Sequence, residues 1–229
     1  MVIGNGLLAK RFADYQANNE VVIFASGVSD SKLTDDSEYQ RETDLLENTM
    51  RRHPDQLLVY FSTCSVLDKS LIDQPYIRHK FLLERLIQQK QKRFLIFRIS
   101  NLAGHGGNPK TIMNYLVHVV KEDLHFQLWK NAYRNVLDVD DAYLLMKEFI
   151  SSGQQNHIIN IANPVSYATP AIVATIENFL GKKANYTLVD KGEGFFIDTI
   201  AVEDIAPKIG INFSDNYLEV ILQKYYSPS

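Results

Sequence analysis

The sequence predicts an α/β fold in which helices cover both faces of a parallel β-sheet. Short apolar runs that end in small or polar residues, such as V-V-I-F-A-S-G and L-L-V-Y-F-S-T, alternate with longer amphipathic stretches. Apolar runs of this length between helical patterns are typical of strands buried on both faces of a parallel sheet. The 229 residues suffice for one large domain with a small lobe.

The first half of the chain shows this alternation most clearly. A very short first strand leads through the turn G-N-G-L-L-A into a helix, and E-V-V-I-F-A-S-G is predicted as the second strand. After a polar loop and a helix, the third strand ends at Thr63. The helix that carries Tyr76 is predicted to run to about Gln91, and R-F-L-I-F-R-I-S is predicted as the next strand.

The second half begins with a glycine-rich loop after Ser100 and contains more scattered elements. In T-P-A-I-V-A-T-I-E-N-F-L-G, Thr169 is the predicted N-cap, Pro170 opens the helix and Gly181 ends it. An amphipathic helix is predicted near the C-terminus. We predict a small substrate-binding lobe, drawn mainly from about 102–135 and 163–229, on an otherwise single domain.

The composition excludes several classes of function. Apolar residues make up 45% and charged residues 22%, and the formal net charge of −3 argues against a nucleic-acid surface. No apolar run is long enough to cross a membrane. The lone Cys64 and the lack of a secretory signal predict a cytoplasmic protein. The six histidines lack metal-ligand spacing, so we predict no metal site.

Tyr76 and Lys80 are the candidate catalytic pair, although their spacing alone proves nothing. The chain has 12 tyrosines, and Tyr143 and Lys147 repeat the same spacing in a helix whose apolar residues Leu144, Leu145 and Phe149 indicate an ordinary buried stripe. We therefore predict that this second pair is structural. Only the first pair follows a strand that ends in a hydroxyl residue, Thr63.

The first pair and Thr63 suit proton transfer between a carbonyl and an alcohol. Residues four apart share one face of a helix, so the Lys80 ammonium is expected to lower the pKa of the Tyr76 phenol. Tyr76 would exchange the proton while Thr63 holds the substrate oxygen by a hydrogen bond. Hydride transfer then requires a cofactor. The G-x-G-x-x-A turn at Gly4 is a candidate site for its pyrophosphate, because glycines allow close approach of the backbone.

With these motifs, the chain resembles the extended short-chain dehydrogenase/reductases of the NAD-dependent epimerase/dehydratase family, which act on nucleotide sugars. F-R-I-S-N-L-A-G is similar to the family's R-x-x-N-x-x-G segment, and R-N-V-L-D-V-D-D-A is similar to R-D-Y-I-H-V-x-D-x-A. The resemblance implies a Rossmann-like fold, NAD or NADP as cofactor, a nucleotide-sugar substrate and a possible homodimer. It implies catalytic roles for Thr63, Tyr76 and Lys80, a cofactor site and a substrate site. The implied cofactor site comprises Gly4, Asn5, Gly6, Leu7, Leu8, Ala25, Ser26, Gly27 and Lys80, and the implied substrate site comprises Ser65, Asn101 and Arg134.

Departures from the family pattern limit what the resemblance implies. The helix after Gly6 leads directly into V-V-I-F-A-S-G, so the usual second and third strands are predicted to be missing. Those strands normally bring the acidic residue that binds the adenine ribose, about 20 residues beyond the glycines. Asp30 is the candidate by spacing, but V-V-I-F-A-S-G-V-S is more similar to a later strand of the family. Cys64 and Ser65 stand where sugar 4,6-dehydratases have Asp-Glu, which argues against dehydration. Glu42 stands where the family often has asparagine.

Two functions remain open from the sequence. The first is an NAD(P)-dependent oxidoreductase or epimerase acting on a nucleotide-activated sugar. The alternative is a binding or regulatory protein of the same fold that has lost dinucleotide affinity with the missing strands. A third, intermediate possibility is an active enzyme that holds the adenosine end of its cofactor only loosely or with the help of a partner subunit.

Overall fold

The computed structural model describes residues 1–28, 36–105, 109 and 111–227. In this part of the chain the strands are, in order, β1 (Val2–Ile3), β2 (Val21–Phe24), β3 (Leu57–Thr63), β4 (Phe94–Ile99), β5 (Asn101–Ala103), β6 (Phe126–Trp129), β7 (Tyr133–Arg134), β8 (Val136–Asp138), β9 (His157–Ile161), β10 (Tyr167–Ala168) and β11 (Tyr186–Val189). The α-helices are α1 (Leu7–Arg11), α2 (Asp36–Arg52), α3 (Pro75–Lys90), α4 (Ile112–Lys121), α5 (Val139–Ser151), α6 (Thr169–Leu180), α7 (Ile200–Ile205) and α8 (Tyr217–Tyr226).

The chain divides into two compact units. The first consists of Met1–Ile99 and Asp140–Ile161, and the second of Ser100–Val139 and Ala162–Ser229. The second unit comprises nearly the same residues as the predicted lobe; that it binds substrate stays a prediction.

A five-stranded parallel sheet organises the first unit, which confirms the predicted fold class. Its strand order is β1-β2-β3-β4-β9, so each strand lies beside the next in chain order. Among the described residues no strand lies beyond β1, which agrees with the predicted loss of the second and third strands. The carboxyl ends of all five strands lie at the same edge because the strands are parallel.

The two faces of this sheet are covered by different helices. One face packs on α2 and α3 through a cluster of buried side chains: Val22, Phe24, Leu46, Met50, Leu58, Tyr60, Leu83, Ile87, Phe94 and Ile96. Strand residues alternate between faces, so Phe61 and Phe97 lie on the opposite side. There the Phe61 ring lies 5.4 Å from that of Phe12, at the end of α1, and the Phe97 ring lies 6.2 Å from that of Phe149 in α5.

The β1–α1–β2 connection therefore has the opposite handedness to the connections through α2 and α3. The chain steps from β1 to β2, from β2 to β3 and from β3 to β4 in one direction across the sheet. Helices α2 and α3 lie on the same face during this progression, whereas α1 lies on the other. Connections between parallel strands are right-handed in about 98% of cases, so opposite hands in one sheet are exceptional. This exception sends the chain to opposite faces after β1 and after β2.

Within its described residues, the second unit contains three strand pairs and its own helices. Strands β5 and β8 pair in parallel, as do β6 and β11, whereas β7 and β10 are antiparallel. Helix α8 is held to β8 by Asp138, whose carboxylate accepts hydrogen bonds from Lys224 Nζ at 2.7 Å and Tyr225 Oη at 2.8 Å. The structure contains no helix, within the residues it describes, that is long and apolar enough to cross a membrane.

The predicted ends of α6 are half right. Gly181 ends the helix in the left-handed conformation, at φ 61°, which confirms the prediction. Thr169 does not cap the helix: it is the first helical residue, and its hydroxyl donates instead to the Trp129 carbonyl at 2.6 Å. The prediction was wrong because a carbonyl distant in sequence competes for this hydroxyl.

Candidate functional site

The loops that follow β1 and β2 meet at the carboxyl edge of the sheet. Gly4 has φ +123°, and a Cβ there would lie 2.3 Å from the Ala25 carbonyl oxygen, so the close approach of the two loops requires glycine. At Gly6, by contrast, a Cβ would meet nothing within 4 Å. Because the chain leaves these strands towards opposite faces, this edge is a topological switch point, and we expect a ligand-binding crevice between the loops, as in dinucleotide-binding sheets.

The predicted cofactor residues line these two loops. Asn5, Gly6 and Gly27 are exposed, whereas Leu7 and Leu8 are half-buried in the first turn of α1. The hydroxyl of Ser26, also half-buried, accepts a weak hydrogen bond from Arg41 Nη1 at 3.5 Å. Helix α1 has only five residues, so its dipole offers less to a phosphate than a full-length helix would.

Helix α3 brings Tyr76 and Lys80 to the second of these loops. Pro75 is the first residue of α3, which fixes Tyr76 in the first turn. Lys80 is buried, and its Nζ lies 5.9 Å from the centre of the Tyr76 ring. A Cβ at Gly27 would lie 2.7 Å from Lys80 Nζ and 2.9 Å from Glu42 Oε1. The backbone of Gly27 thus lies directly against the Lys80 ammonium.

Glu42 is the centre of a buried polar network around Lys80. Its Oε1 accepts from Lys80 Nζ at 2.9 Å and from Tyr60 Oη at 2.9 Å. Its Oε2 accepts from the Val28 backbone N–H at 2.8 Å and lies 3.0 Å from His79 Nε2. Burial alone would raise the pKa of Glu42, but the Lys80 charge and these hydrogen bonds lower it to about 2. The carboxylate is therefore ionised although its side chain is completely buried.

The pKa of Tyr76 departs from the sequence expectation. We expected Lys80 to lower it, but burial, the charge of Glu42 and Tyr39 raise the pKa of the Tyr76 phenol. The physical reasons are that burial disfavours the phenolate and that the Lys80 ammonium is paired with a carboxylate, so little net positive charge reaches the phenol. The Tyr76 hydroxyl makes no hydrogen bond to any residue in the described ranges, which leaves it able to bind a ligand.

Thr63 is the last residue of β3, as predicted, and its side chain caps the turn that follows. Thr63 Oγ1 accepts a hydrogen bond from the Ser65 N–H at 3.1 Å, which leaves its own proton to donate. This 3-10 turn, Cys64–Leu67, packs against α3. Cys64 is buried, and burial raises the pKa of its thiol to about 12, so it is no nucleophile. Ser65 is half-buried in the same turn.

Asn101 and Arg134, the predicted substrate residues, belong to the second unit. The Asn101 backbone N–H and its side-chain Nδ2 both bond to the Asn135 carbonyl, at 3.2 and 2.8 Å. Arg134 lies in β7 opposite Tyr167, and its Nη1 donates to the Tyr133 carbonyl at 2.7 Å. These bonds hold the side chains of Asn101 and Arg134 near the ends of their strands. That the two side chains contact substrate stays a prediction.

The second Tyr-x-x-x-Lys pair has a structural partner. Tyr143 Oη and Lys147 Nζ both donate to Asp14 Oδ2, at 2.7 and 2.8 Å, and thereby tie α5 to the segment after α1. The Tyr143 ring also packs edge-on against Phe12. The buried stripe predicted for this helix was wrong at one residue, because Leu144 is exposed.

The carboxylates after β8 form no metal site. Asp138 is bonded to α8, and Asp140 pairs with Arg11 at 2.5 Å. In the ranges given above, no group of three or more His, Cys, Asp or Glu side chains could hold a metal ion. Asp30, the alternative ribose ligand, lies outside the described residues.

Sequence reasoning missed Glu42, Tyr60 and His79 as members of the site. In the sequence, Glu42 stands out only as a departure from the family pattern, and Tyr60 belongs to a run that predicts an apolar strand. A signal was available: residues 60 and 24 face α2, and an acidic residue on the buried side of that helix needs a cation. Its partner Lys80 is 38 residues away, a distance at which periodicity carries no information.

Several solved structures share this fold. RMD from Pseudomonas aeruginosa complexed with NADPH is 16% identical, with a TM-score of 0.72 and 99% of each chain covered. UDP-glucose 4-epimerase from Brucella ovis in complex with NAD is 15% identical, with a TM-score of 0.72, covering 97% of this chain and 83% of that one. dTDP-glucose 4,6-dehydratase from Bacillus anthracis in complex with NAD is 16% identical, with a TM-score of 0.65, covering 89% and 72%. At these identities the likeness establishes the fold alone.

The sequence itself identifies the family. No curated protein matches the chain. The sequence model of the NAD dependent epimerase/dehydratase family matches residues 5–162, from the glycine turn to the end of β9. This match spans more than half of the chain and confirms the resemblance drawn from its motifs. The chain belongs to the NAD-dependent epimerase/dehydratase family.

Proposed function

We propose that the protein is an NAD(P)-dependent epimerase or oxidoreductase that acts on a nucleotide-activated sugar. The observation that carries the proposal is the position of Lys80, whose ammonium lies against Gly27 in the loop that borders the expected crevice. Tyr76 stands beside it on α3, and its hydroxyl has no hydrogen-bond partner among the residues that the structure describes. A cofactor bound in this crevice and a proton donor on α3 are the two requirements of carbonyl/alcohol redox chemistry.

The residues present fit a dinucleotide at its nicotinamide and pyrophosphate ends. The open space above Gly6 leaves room for phosphates against the backbone, and a ligand bound on the exposed Gly27 would lie close to Lys80. Two of the three N–H donors of Lys80 bond to Glu42 and Tyr60, which leaves one for a ribose hydroxyl. When bound, the nicotinamide supplies or accepts a hydride.

The chain's own side chains perform the proton chemistry in this proposal. Tyr76 gives its proton to a sugar carbonyl oxygen, or takes it from the alcohol in the reverse direction. Thr63 donates a hydrogen bond to the same oxygen, since its Oγ1 accepts from Ser65 and its proton is not otherwise bonded within the described chain. Asn101, Arg134 and Ser65 are proposed to bind the nucleotide sugar.

Dehydration is not part of the proposed activity, although a 4,6-dehydratase shares the fold. That reaction needs an acid and a base in addition to the tyrosine, and Cys64 and Ser65 stand where sugar 4,6-dehydratases have Asp-Glu. The Cys64 thiol is buried, bonded to the Arg98 carbonyl and held protonated by its raised pKa. Cys64 and Ser65 therefore cannot supply the additional acid and base that dehydration needs.

Nucleotide-sugar turnover tests the proposal. The purified protein is incubated with NAD or NADP, in oxidised or reduced form, and with UDP-, GDP- and dTDP-linked sugars. We expect NMR spectra to show an epimerised, oxidised or reduced sugar nucleotide and no 4-keto-6-deoxy product. A folded protein that converts none of these substrates with either cofactor contradicts the proposed activity.

The rival function is a regulatory or binding protein without dinucleotide affinity. One observation favours it: within the described residues, the sheet ends at β1, where the adenosine-binding strands would continue. Cofactor binding separates the two functions, because the rival requires that neither NADH nor NADPH binds.

A further inference from the structure

Glu42 connects three elements of the candidate site through one side chain. It lies on α2, and its carboxylate bonds to Lys80 and His79 on α3, to Tyr60 on β3 and to the Val28 N–H in the loop after β2. Its exposure is 0% and that of Lys80 is 2%. An ionised group is retained at such burial only when it is paired and fully hydrogen-bonded.

The groups that face this pair decide how much of the Lys80 charge reaches Tyr76. Besides Glu42, they are His79 and Tyr76 on α3, Tyr60 on β3 and Tyr39 on α2, whose ring lies 4.7 Å from that of His79. Glu42 is the carboxylate within hydrogen-bond distance of Lys80 Nζ. The two charged atoms lie 2.9 Å apart, and opposite charges at this distance attract each other more strongly in a buried site than in water.

We propose that Glu42 is a positioning residue that acts through Lys80: it fixes the ammonium against Gly27 and neutralises it, so that Tyr76 enters the reaction as a neutral phenol. This inference rests on the proposed function and deepens it. A tyrosine that starts protonated is ready to donate to a carbonyl oxygen, which favours the carbonyl-reducing half of the chemistry at neutral pH. The raised pKa of Tyr76 agrees with this arrangement.

The same carboxylate joins the lysine to the cofactor loop. Val28 follows Gly27 directly, and its N–H is held by the oxygen of Glu42 that does not contact Lys80. The two oxygens thus fix the loop and the ammonium in one geometry. An uncharged amide at this position would have to turn its NH₂ group towards either the Val28 N–H or the Lys80 ammonium.

Tyrosine titration by NMR tests the role of Glu42 without cofactor or substrate. Protein labelled with ¹³C at tyrosine Cζ is titrated as wild type and as Glu42→Gln, and the Tyr76 signal is assigned by its loss in Tyr76→Phe. We expect wild-type Tyr76 to remain a phenol to at least pH ~10, and its pKa to fall by about 1–3 units in Glu42→Gln, where Lys80 is unpaired.

Glu84→Gln is the matched control. Glu84 is also buried, and its carboxylate bonds to Arg98 at 2.6 and 2.9 Å and to Ser62, but not to Lys80. We expect this variant to leave the Tyr76 titration unchanged. An unchanged titration in folded Glu42→Gln, or an equal shift in Glu84→Gln, overturns the inference.

The wild-type titration keeps the test decisive if Glu42→Gln does not fold. A wild-type Tyr76 that ionises below pH ~8 shows that Glu42 does not neutralise Lys80, and this overturns the inference without any Glu42 variant. Because these titrations use no cofactor and no sugar, they succeed or fail independently of the turnover experiment.

Discussion

Replacing Tyr76 with phenylalanine is expected to reduce turnover by about 10²–10⁴-fold, the contribution typical of a positioned proton donor. The variant removes only the hydroxyl, which makes no hydrogen bond within the described residues, so the fold should survive. The 5.9 Å contact between the ring and Lys80 Nζ is also retained. The measurement is the initial rate of sugar-nucleotide conversion at saturating cofactor, with thermal unfolding as a check on the fold.

Tyr143→Phe is the control for this substitution. Tyr143 has the same spacing to a lysine and loses a hydrogen bond to Asp14 when changed, but it lies outside the proposed site. We expect it to lower stability slightly and leave turnover within about twofold of wild type, since exposed polar contacts contribute little. Undiminished turnover in Tyr76→Phe would exclude Tyr76 as the proton donor.

Replacing Lys80 with methionine is expected to lower the free energy of unfolding by about 3–5 kcal/mol, because it leaves the Glu42 charge buried without its cation. Methionine has a similar length, so little packing is lost. The hydrogen bond from Lys80 to the Tyr60 hydroxyl, at 3.1 Å, is lost as well. Urea denaturation followed by circular dichroism measures the change.

Two further variants separate the ion pair from general effects of losing a lysine. Lys147→Met removes a half-exposed ion pair to Asp14 and should cost no more than about 1 kcal/mol. Combining Lys80→Met with Glu42→Gln removes both buried charges and should recover part of the lost stability, since the uncompensated carboxylate is gone. A loss below about 1 kcal/mol for Lys80→Met would contradict the buried ion pair.

Local patterns in the sequence were sufficient to predict the fold class. The parallel sheet follows from apolar runs between amphipathic helices, and Thr63 is the last residue of β3, as predicted. Gly181 likewise ends α6 because a glycine tolerates the left-handed conformation. Each of these predictions depends on residues a few positions apart, where backbone preference and side-chain period decide the outcome.

The charge state of the site could not be predicted in the same way. The expectation that Lys80 lowers the pKa of Tyr76 considered only these two residues of α3. It left out Glu42 on α2. Glu42 joins them only after α2 and α3 pack on the same face of the sheet. Tertiary packing therefore reversed a prediction that was sound for an isolated helix.

The unusual hand of the α1 connection was also beyond the sequence. The pattern indicated that strands were missing, but the side of the sheet that α1 occupies follows from Phe12 packing against Phe61. With α1 on this side, the chain leaves β1 and β2 towards opposite faces of the sheet, which is the topology at which dinucleotides bind. We therefore expect the proposed cofactor site to withstand the loss of the strands that normally flank it.

Calorimetric titration with NADH and NADPH tests most directly whether this crevice binds a dinucleotide. The matched variant is Gly6→Ala, whose added methyl occupies the open space above the turn without touching the protein. We expect wild type to bind at least one of the two cofactors and Gly6→Ala to bind it at least about tenfold more weakly, a change of about 1.4 kcal/mol, at unchanged stability. No binding heat from either cofactor with folded wild-type protein would contradict the account.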